Sequence, residues 1–470
     1  MIHSHRFSLD QFAPISIYEK LKELFPNEIS FLLESAGNSD GNYTIIAIGA
    51  RERLTYSEGI THYRDSDEKT SVISESPFEF LKRYYRNCDM EYYRAQTKTL
   101  EVGYVDGFIG YIGYDMVKVF EPTLNASMNG LTDQTNIPDM DLILPKLVVV
   151  VSHKHSTITL ITTLNTLNEK FAAIEAECKS TYHYTPLVPI QNDQGGDFIY
   201  SKDQFFGMVD RSKEMIRSGD VFQILMTNRY IRHASIDPFS FYRILRIKNP
   251  SPYMYLMEYG DFSIVGSSPE VMVRLSDGDI LLRPIAGTRK RGADKKRDVE
   301  LEEELLSDPK ELAEHLMLID LGRNDVGRVA KTGTVRVEEM MHVERYSHVM
   351  HIVSDVHAQL REDKDMFDLL AATFTAGTMT GAPKIRAMEL IAQFEGVKRS
   401  FYSGTIGYFG FDGNMDTAIT IRTALIKPDK IILQAGAGIV ADSVHELEYL
   451  EVTNKLGALT STLNDLIDPQ

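Results

Sequence analysis

The chain has 470 residues and an apolar content of 43%, enough for one large domain or for two or three ordinary domains with a sizeable core. Its formal net charge of −17 argues against nucleic acid and anionic membrane surfaces as partners. No apolar run reaches transmembrane length, residues 1–14 lack a signal-peptide core, and Cys88 and Cys178 lie in no motif. We therefore expect a cytoplasmic protein without a disulfide scaffold.

The amino-terminal part is a mixture of helix and strand by its apolar pattern. A segment rich in proline, glycine and polar residues, YHYTPLVPIQNDQGGD at 182–197, is the best linker candidate. We expect an amino-terminal domain over residues 1–180, a linker over 181–198 and a second domain over 199–466. Within the first domain, strands are predicted over residues 29–35, 43–48, 142–151 and 157–163, and a helix over 168–178.

An internal echo links the two parts of the chain. The segments GFIGYIGYD at 107–115 and GTIGYFGFD at 404–412 match at six of nine positions. The echo fits two similar hairpins that arose by chance. It also fits a pseudo-symmetric pair of sheets, one contributed largely by each half, and nine residues do not decide between the two.

Two polar residues interrupt apolar runs in the second part. Gln223 lies in a strand predicted over residues 220–230, where a buried amide needs hydrogen-bonding partners from the protein or a substrate. Glu270 follows Pro269 in VGSSPEVMVRL. Burial would raise the pKa of this carboxyl and suit it to general-acid catalysis, whereas a glutamate at an exposed strand edge would have no such role.

A helix is predicted over residues 307–325, SDPKELAEHLMLIDLGRND, with Asp308 as its cap and Gly322 at its end. Leu312, Leu316 and Ile319 recur at helical spacing and predict its apolar face. Glu311 and Glu314 are three residues apart, which places both carboxylates on one face. The plain alternative is a capping box of Asp308 with Glu311, together with a solvated Glu314.

A second acidic helix is predicted over residues 443–455, SVHELEYLEVTNK, where Ser443 and Glu446 have capping-box spacing. Glu448, Glu451 and Lys455 share one of its faces. Two helices that each carry Glu-x-x-Glu suggest a four-carboxylate cluster around an oxygen-seeking dication. Magnesium is the natural candidate, because it combines carboxylates with water and an anionic substrate.

Three further segments carry polar or glycine-rich signals. AGTMTGAPKIRAME at 376–389 predicts a glycine-rich turn that leads into a helix, whose free N–H groups could bind a carboxylate. QAGAGI at 434–439 offers a run of backbone amides just before the second acidic helix. His351 lies on a predicted strand, where a lone histidine is more often structural than catalytic.

Seven ordered motifs together resemble the chorismate-utilising enzymes, and anthranilate synthase component I is the subfamily that the chain resembles most. The resemblance is dense over roughly residues 200–460 and thinner before them. It implies an α/β (α+β) fold with two intertwined subdomains around two packed, largely antiparallel sheets. The motifs are SSPEVMVRL, RPIAGTRKRG, EHLMLIDLGRNDVGRV, HIVSDV, AGTMTGAPKIRAMELI, GYFGFDGNMDTAITIRT and GAGIVADSVHELEYLEVTNK.

Two positions indicate the reaction within this family. Members that add water to chorismate carry a lysine base where this chain has Gln223. Aminodeoxychorismate synthases carry a nucleophilic lysine where it has Ala286. The resemblance therefore implies magnesium-dependent conversion of chorismate and ammonia to anthranilate and pyruvate. Three alternatives stay open: an aminodeoxychorismate synthase component I, an aminodeoxyisochorismate synthase that stops at the amino intermediate, and a non-catalytic tryptophan-binding regulator.

The resemblance also implies a set of site residues. Glu270 would protonate the departing hydroxyl, with His351 and Gln223 as further catalytic residues. Magnesium would be held by Glu311, Glu314, Glu448 and Glu451. Substrate contacts would come from Ala286, Gly287, Thr288, Thr378, Tyr408, Arg422, Gly436, Ala437, Gly438 and Lys455.

Regulation and assembly are implied in the same way. LLES and NPSPYM resemble the tryptophan feedback site of anthranilate synthases, and the usual arginine after the first motif is Asn42 here. Neither cysteine has the surroundings of a glutaminase nucleophile, so a separate glutamine amidotransferase subunit would supply ammonia, in a hetero-oligomer. The tryptophan contacts would be Leu33, Glu34, Ser35, Pro252, Tyr253 and Met254.

Overall fold

The computed structural model describes residues 1–8, 13–35, 43–346 and 349–468; Asn42 lies outside these ranges. The helices are α1 Pro14–Leu24, α2 Pro77–Arg86, α3 Met90–Leu100, α4 Val117–Phe120, α5 Asn125–Met128, α6 Asn165–Asn168, α7 Phe171–Lys179, α8 Lys202–Arg217, α9 Pro238–Lys248, α10 Lys295–Ser307, α11 Pro309–Gly327, α12 Met366–Thr373, α13 Lys384–Glu395 and α14 His445–Asp465.

The strands supply the framework on which these helices pack. They are β1 His3–Ser8, β2 Ser30–Glu34, β3 Tyr43–Ser57, β4 Ile60–Arg64, β5 Thr70–Ile73, β6 Gly107–Ile112, β7 Met140–Ser152, β8 Thr157–Thr162, β9 Gly196–Phe198, β10 Gln223–Arg232, β11 Tyr253–Glu258, β12 Ser263–Ser268, β13 Val271–Ser276, β14 Asp279–Leu282, β15 Ile285–Lys290, β16 Arg336–Arg345, β17 Val349–Gln359, β18 Gly381–Ala382, β19 Thr405–Gly410, β20 Met415–Ile419, β21 Thr423–Ile426 and β22 Ile431–Ile439.

Two antiparallel sheets share the long strands β3 and β7. The first sheet runs β1-β8-β7-β3-β2-β11-β12-β21-β22-β10, with β9 and β18 on the outer edge of β10. The second runs β5-β4-β3-β7-β6-β19-β20-β13-β14-β17, with β15 and β16 also on β17. A register shift between Ala50 and Glu52 marks the point where β3 passes from the first sheet into the second. The predicted fold class is confirmed, although hydrogen bonds join the two sheets into one network.

The two parts of the chain are interleaved within these sheets. β2 of the amino-terminal part pairs with β11 of the second part, and β6 pairs with β19. The two echoed segments are therefore neighbouring strands, and Gly110 lies opposite Gly407. A Cβ on Gly407 would lie 2.1 Å from the carbonyl oxygen of Asp416, so the close approach of the strands requires glycine.

Alternating side chains divide the core into two layers. Phe31 and Ile45 belong to the inner layer, which contains residues of both sheets, while Leu32 and Ile46 belong to an outer layer beneath helices such as α9 and α14. Within the described ranges, no helix combines the length and apolar character needed to cross a membrane.

Candidate active site

Glu270 lies in the short gap between β12 and β13, where Pro269 interrupts the edge of the ladder. Its side chain is buried, and its carboxyl oxygen Oε1 accepts a hydrogen bond from Oγ1 of Thr378 at 2.9 Å. Burial raises the pKa of Glu270 to about 7, against the opposing effects of Thr378, Lys455 and Arg422. A carboxyl with this pKa can hold a proton near neutral pH and donate it.

His351 faces the site from β17. Its Nδ1 lies 2.9 Å from the carbonyl oxygen of Gly287 and 3.1 Å from Oγ1 of Thr288. Because a carbonyl oxygen can only accept, we assign the ring proton to Nδ1, which leaves Nε2 as an acceptor. Burial lowers the pKa of His351 to about 4, and the charges of Arg422 and Lys455 lower it further. The imidazole is therefore neutral near pH 7.

Two cations complete the environment of Glu270. Arg422 lies between β20 and β21 with a φ of +50°, and its guanidinium is within electrostatic reach of Glu270 and Tyr346. Lys455 of α14 donates to the carbonyl oxygen of Gly436 at 2.9 Å and pairs with Glu451 at 2.7 Å. A cationic anchor thus lies next to the acid, which suits a substrate carboxylate.

Of the four carboxylates predicted to cluster, Glu314 of α11 and Glu451 of α14 lie within electrostatic reach of each other. Burial raises the pKa of Glu314, and the charges of Glu311 and Glu451 raise it further. Glu311 pairs with Arg289 at 3.2 Å. Burial and then Glu451 raise the pKa of Glu448, although Ser443 donates a hydrogen bond to it. The negative charges of Glu314 and Glu451 thus act on each other across the two helices.

This donor set fits magnesium. Within the described ranges, no three His, Cys, Asp or Glu side chains converge enough to enclose a metal ion. Magnesium takes one or two protein carboxylates and completes its shell with water and anionic substrate oxygens. The buried Oε1 of Gln223 has no hydrogen-bond partner among the described residues, while its Nε2 donates to Glu314 at 3.3 Å. A hydrated ion beside Glu314 and Glu451 would supply that missing donor.

Details of the two acidic helices differ from prediction. α11 continues past Gly322 to Gly327, because Gly322 packs closely against Leu282 and does not end the helix. Leu316 is exposed, and the buried face instead includes Leu318. Ser443 does not cap α14: its Oγ accepts from the N–H of Val440, and the helix begins at His445 without a side-chain cap.

The remaining predicted substrate contacts lie along two strands. Ala286, Gly287 and Thr288 belong to β15, which pairs with β17 beside His351. Gly436, Ala437 and Gly438 belong to β22, which pairs with β10. A Cβ on Gly438 would lie 2.7 Å from Nε2 of Gln223, so this strand approaches the amide closely.

Tyr408 is not brought to this site. Its ring lies 4.9 Å from that of Tyr104, and its hydroxyl donates to the carbonyl oxygen of Gly103 at 3.4 Å. Tyr402, which no sequence motif singles out, is instead buried near this site, and its phenol lies within hydrogen-bonding reach of the Gly436 main chain. Both tyrosines occur in one short run, and no periodic signal distinguishes them.

A separate cavity of about 670 Å³ contains Tyr408 and the residues of the predicted inhibitor site. Its walls include Leu33, Glu34, Ser35, Pro252, Tyr253, Met254, Tyr346, Tyr408 and Asp416. The two segments LLES and NPSPYM meet here because β2 pairs with β11.

Two of these residues are oriented differently from expectation. The Glu34 carboxylate accepts from Tyr242 at 2.6 Å and from Nε of Arg246 at 2.9 Å, so it is already paired on the α9 side of β2. Met254 belongs to the outer core, because strand alternation turns it away from Tyr253. Ser35 and Tyr253 are thus better placed than Glu34 and Met254 to present side chains to a ligand.

Comparison with known proteins identifies the family. The family model described as chorismate binding enzyme matches residues 28–461. The chain belongs to the chorismate binding enzyme family. Among its relatives, anthranilate synthase component 1 of Aquifex aeolicus is 40% identical over 97% of this chain and 93% of the relative. The protein of the same name from Pseudomonas putida is 43% identical over 95% and 92%.

Two solved structures agree with the fold. Anthranilate synthase component I from Streptococcus pneumoniae TIGR4 superposes with a TM-score of 0.79 at 34% identity, covering 90% of this chain and 93% of that chain. The menaquinone-specific isochorismate synthase from Escherichia coli gives a TM-score of 0.74 at 20% identity, with coverage of 98% and 94%. The second comparison supports the fold alone.

Proposed function

We propose that this chain is the synthase subunit of a cytoplasmic anthranilate synthase. It converts chorismate and ammonia to anthranilate, pyruvate and water, as the first committed reaction toward tryptophan. The observation that carries the proposal is the buried Glu270 beside Arg422 and Lys455, with the carboxylates of two helices nearby. The relatives named anthranilate synthase component 1, which align over 97% and 95% of this chain, support the same reaction.

Glu270 acts as the general acid. It gives its proton to the hydroxyl at C4, which leaves as water while ammonia forms a bond at C2. Thr378 holds the carboxyl through its hydrogen bond at 2.9 Å. Proton donation by a positioned side chain contributes about 10²- to 10⁴-fold to such a rate.

The anionic groups of chorismate are held at opposite ends of the site. Arg422, the phenol of Tyr402 and the main chain of β22 near Gly436 bind the enolpyruvyl carboxylate. Glu314 and Glu451 would hold a magnesium ion, which would supply Lewis-acid and template chemistry toward the ring carboxylate. Lys455 lies between these groups, because it contacts both Gly436 and Glu451.

Elimination of pyruvate requires removal of the proton at C2. His351 is suited to assist, since its imidazole is neutral near pH 7 and the Nδ1–H is directed to Gly287. The nitrogen Nε2 then carries the lone pair that can accept a proton.

Ammonia comes from a separate glutamine amidotransferase subunit in a hetero-oligomer. A glutaminase nucleophile needs a lowered thiol pKa. Burial instead raises the pKa of both Cys88 and Cys178 to about 11. Neither thiol is suited to attack glutamine, which supports a partner that carries this activity.

Tryptophan inhibits the enzyme from the cavity between β2, β11 and β19. The cavity combines apolar walls with the polar groups of Ser35 and of Tyr253, whose hydroxyl donates to Asp416 at 2.9 Å. Aromatic walls with a few placed polar groups suit an indole amino acid.

The test is to incubate the pure chain with chorismate, magnesium and an ammonium salt, and to identify the products by mass. Anthranilate and pyruvate in equal amounts support the proposal. Accumulation of the amino intermediate without pyruvate would instead show a synthase that stops early. Isochorismate, salicylate or the para-amino product as the main species contradicts the assigned reaction.

A further inference from the structure

A buried ion pair lies beside the site and has no part in the chemistry proposed above. Nζ of Lys384 lies 2.5 Å from Oδ2 of Asp325, and the two side chains are 10% and 6% exposed. A buried pair loses hydration free energy that its mutual attraction often does no more than offset. Stability alone therefore does not account for this pair.

Lys384 joins three helices around a single loop. It is the first residue of α13, while Asp325 belongs to α11. Its Nζ also donates to the carbonyl oxygen of Thr373, the last residue of α12, at 3.4 Å. The loop of residues 374–383 thus begins and ends at the same ammonium group.

This loop carries the hydrogen-bond donor of the general acid. Thr378 lies in the short 3₁₀ helix Gly377–Met379, and its Oγ1 donates to Glu270 at 2.9 Å. A small cavity of about 30 Å³ is lined by Glu270, Thr378 and Asp325. Glu270 and Asp325, the carboxylate partner of Lys384, therefore line the same small cavity.

We propose that Lys384 and Asp325 are positioning residues for Glu270. The pair fixes the loop of residues 374–383, so that Thr378 holds the Glu270 carboxyl toward the hydroxyl that leaves. Neither residue of the pair touches the substrate. The inference rests on the proposed function, in which Glu270 is the general acid.

Loss of Lys384 has a defined electrostatic consequence. Thr378 stabilises the charged form of Glu270, so release of the loop raises the pKa of Glu270. Without Lys384, the negative charge of Asp325 is no longer neutralised, and across the small cavity it also raises the pKa of Glu270. The other groups that face Glu270 stay in place: the cations Arg422 and Lys455, the phenol of Tyr346, and Arg283 in the wall of the small cavity.

The experiment compares Lys384→Met, Lys384→Arg, Asp325→Asn and Thr378→Ala with the wild type. The values of kcat and of KM for chorismate are measured from about pH 6 to about pH 9, around the ordinary range of amine and histidine titration, at constant free ammonia. Isotope-edited infrared titration follows the Glu270 carboxyl independently of turnover, with Glu270→Gln to assign its band.

We expect Lys384→Met to lower kcat about a hundredfold, the usual effect of a displacement near 1 Å, with little change in KM. Its infrared titration and the alkaline limb of kcat should both move up by about one pH unit. Lys384→Arg should restore most of kcat, since arginine also donates to Asp325 and Thr373. The double variant that combines Lys384→Met with Thr378→Ala should have a kcat no lower than that of the slower single variant, because both changes act through the same hydrogen bond.

Arg51→Met is the matched control, because Arg51 forms a buried pair with Asp106 at 2.8 Å in the amino-terminal part. It should lose stability without moving the Glu270 titration. If the wild type makes no anthranilate, the proposed function fails, and the infrared titration still tests the pair. An unchanged Glu270 titration in Lys384→Met, or in Asp325→Asn if the first variant does not fold, overturns the inference. The inference is also overturned if the fold reductions in kcat of the two single variants multiply in the double variant.

Discussion

At the scale of single residues, burial adjusts an acid and a base in opposite directions. It raises the pKa of the Glu270 carboxyl to about 7 and lowers the pKa of the His351 imidazole to about 4. In both cases the uncharged form is favoured, since an apolar environment penalises charge. Near neutral pH the carboxyl can therefore donate a proton while the imidazole can accept one. Two such groups suit a reaction that protonates a leaving hydroxyl and later removes a ring proton.

The acid is tested by Glu270→Gln. Glutamine has a similar shape but no acidic proton, so we expect kcat to fall by about 10²- to 10⁴-fold while chorismate still binds. In the wild type at constant free ammonia, activity should fall as pH rises through about 7, because the protonated form of Glu270 is the active one. Steady-state kinetics across this range check both points. Thr378→Ser keeps the hydroxyl donor and is the control; a wild-type profile that rises steadily through this range would contradict the assignment.

Sequence alone could identify Glu270, because a glutamate after proline in an apolar run combines a strand break with burial. It could not distinguish Tyr402 from Tyr408. The two residues lie six positions apart, and only the folded structure places the phenol of Tyr402 near Gly436 and the ring of Tyr408 against Tyr104. Side-chain direction at a strand end depends on partners that are distant in the sequence.

At the scale of elements, α11 and α14 bring carboxylates of like charge together. Such repulsion is costly without a cation, and it adds to the effect of burial, which is the main cause of the raised pKa of Glu314. Magnesium binding would relieve it, so apparent stability should rise with magnesium concentration.

We expect Glu314→Ala and Glu451→Ala to remain folded and to lose magnesium-dependent activity by about a hundredfold or more, since a Lewis acid contributes several kcal/mol. Thermal unfolding with and without magnesium checks binding independently: the wild type should be stabilised by the ion and the variants should not. Glu446→Gln is the control, because Glu446 lies on α14 but pairs with Lys202 at 2.7 Å. Near-native magnesium-dependent turnover in either alanine variant would show that the ion binds elsewhere.

The glycines of the paired strands β6 and β19 offer a test of the fold. Gly407 has a φ of +158°, and a Cβ there would lie 2.1 Å from the Asp416 carbonyl oxygen. We expect Gly407→Ala to lower the free energy of unfolding by about 3 kcal/mol or more. Gly457→Ala in α14 meets no atom within 4 Å and should instead raise it by about 0.5–1 kcal/mol. Denaturant unfolding measures both changes, and equal stabilities of the two variants would refute the close strand approach.

Element positions were predictable where local chemistry sets them, as at Asp308, which caps α11 through the N–H groups of Lys310 and Glu311. They were not predictable where packing overrides local preference. Gly322 resembles a helix end but lies inside α11 against Leu282, and Ser443 resembles a cap but binds Val440. Tertiary contacts decide these cases, since local propensity amounts to less than about 1 kcal/mol per residue.

At the scale of the whole molecule, interleaved strands place the cavity of about 670 Å³, the proposed inhibitor site, between the two parts of the chain. The pairing of β2 with β11 joins residues more than 200 positions apart. No local sequence pattern predicts the pairing of β2 with β11. The resemblance to a known family nevertheless indicated that the segments LLES and NPSPYM meet. The cavity also reaches Tyr346, whose ring lies 5.6 Å from that of His351. The wall of the cavity and the wall of the active site thus meet at Tyr346.

Tryptophan should inhibit by favouring one conformation of this shared wall, and chorismate must then weaken tryptophan binding by the same factor. We expect Ser35→Arg to reduce tryptophan affinity by about tenfold or more while kcat changes little, because the longer side chain fills the cavity. Tyr408→Ala should act similarly through lost contact with the indole. Calorimetric binding of tryptophan, with and without chorismate, measures affinity and coupling together.

Ser71→Arg on the exposed strand β5 controls for the added charge. If Ser35→Arg and Tyr408→Ala both bind tryptophan like the wild type, the inhibitor site lies elsewhere, and equal affinity with and without chorismate would contradict the two-state coupling.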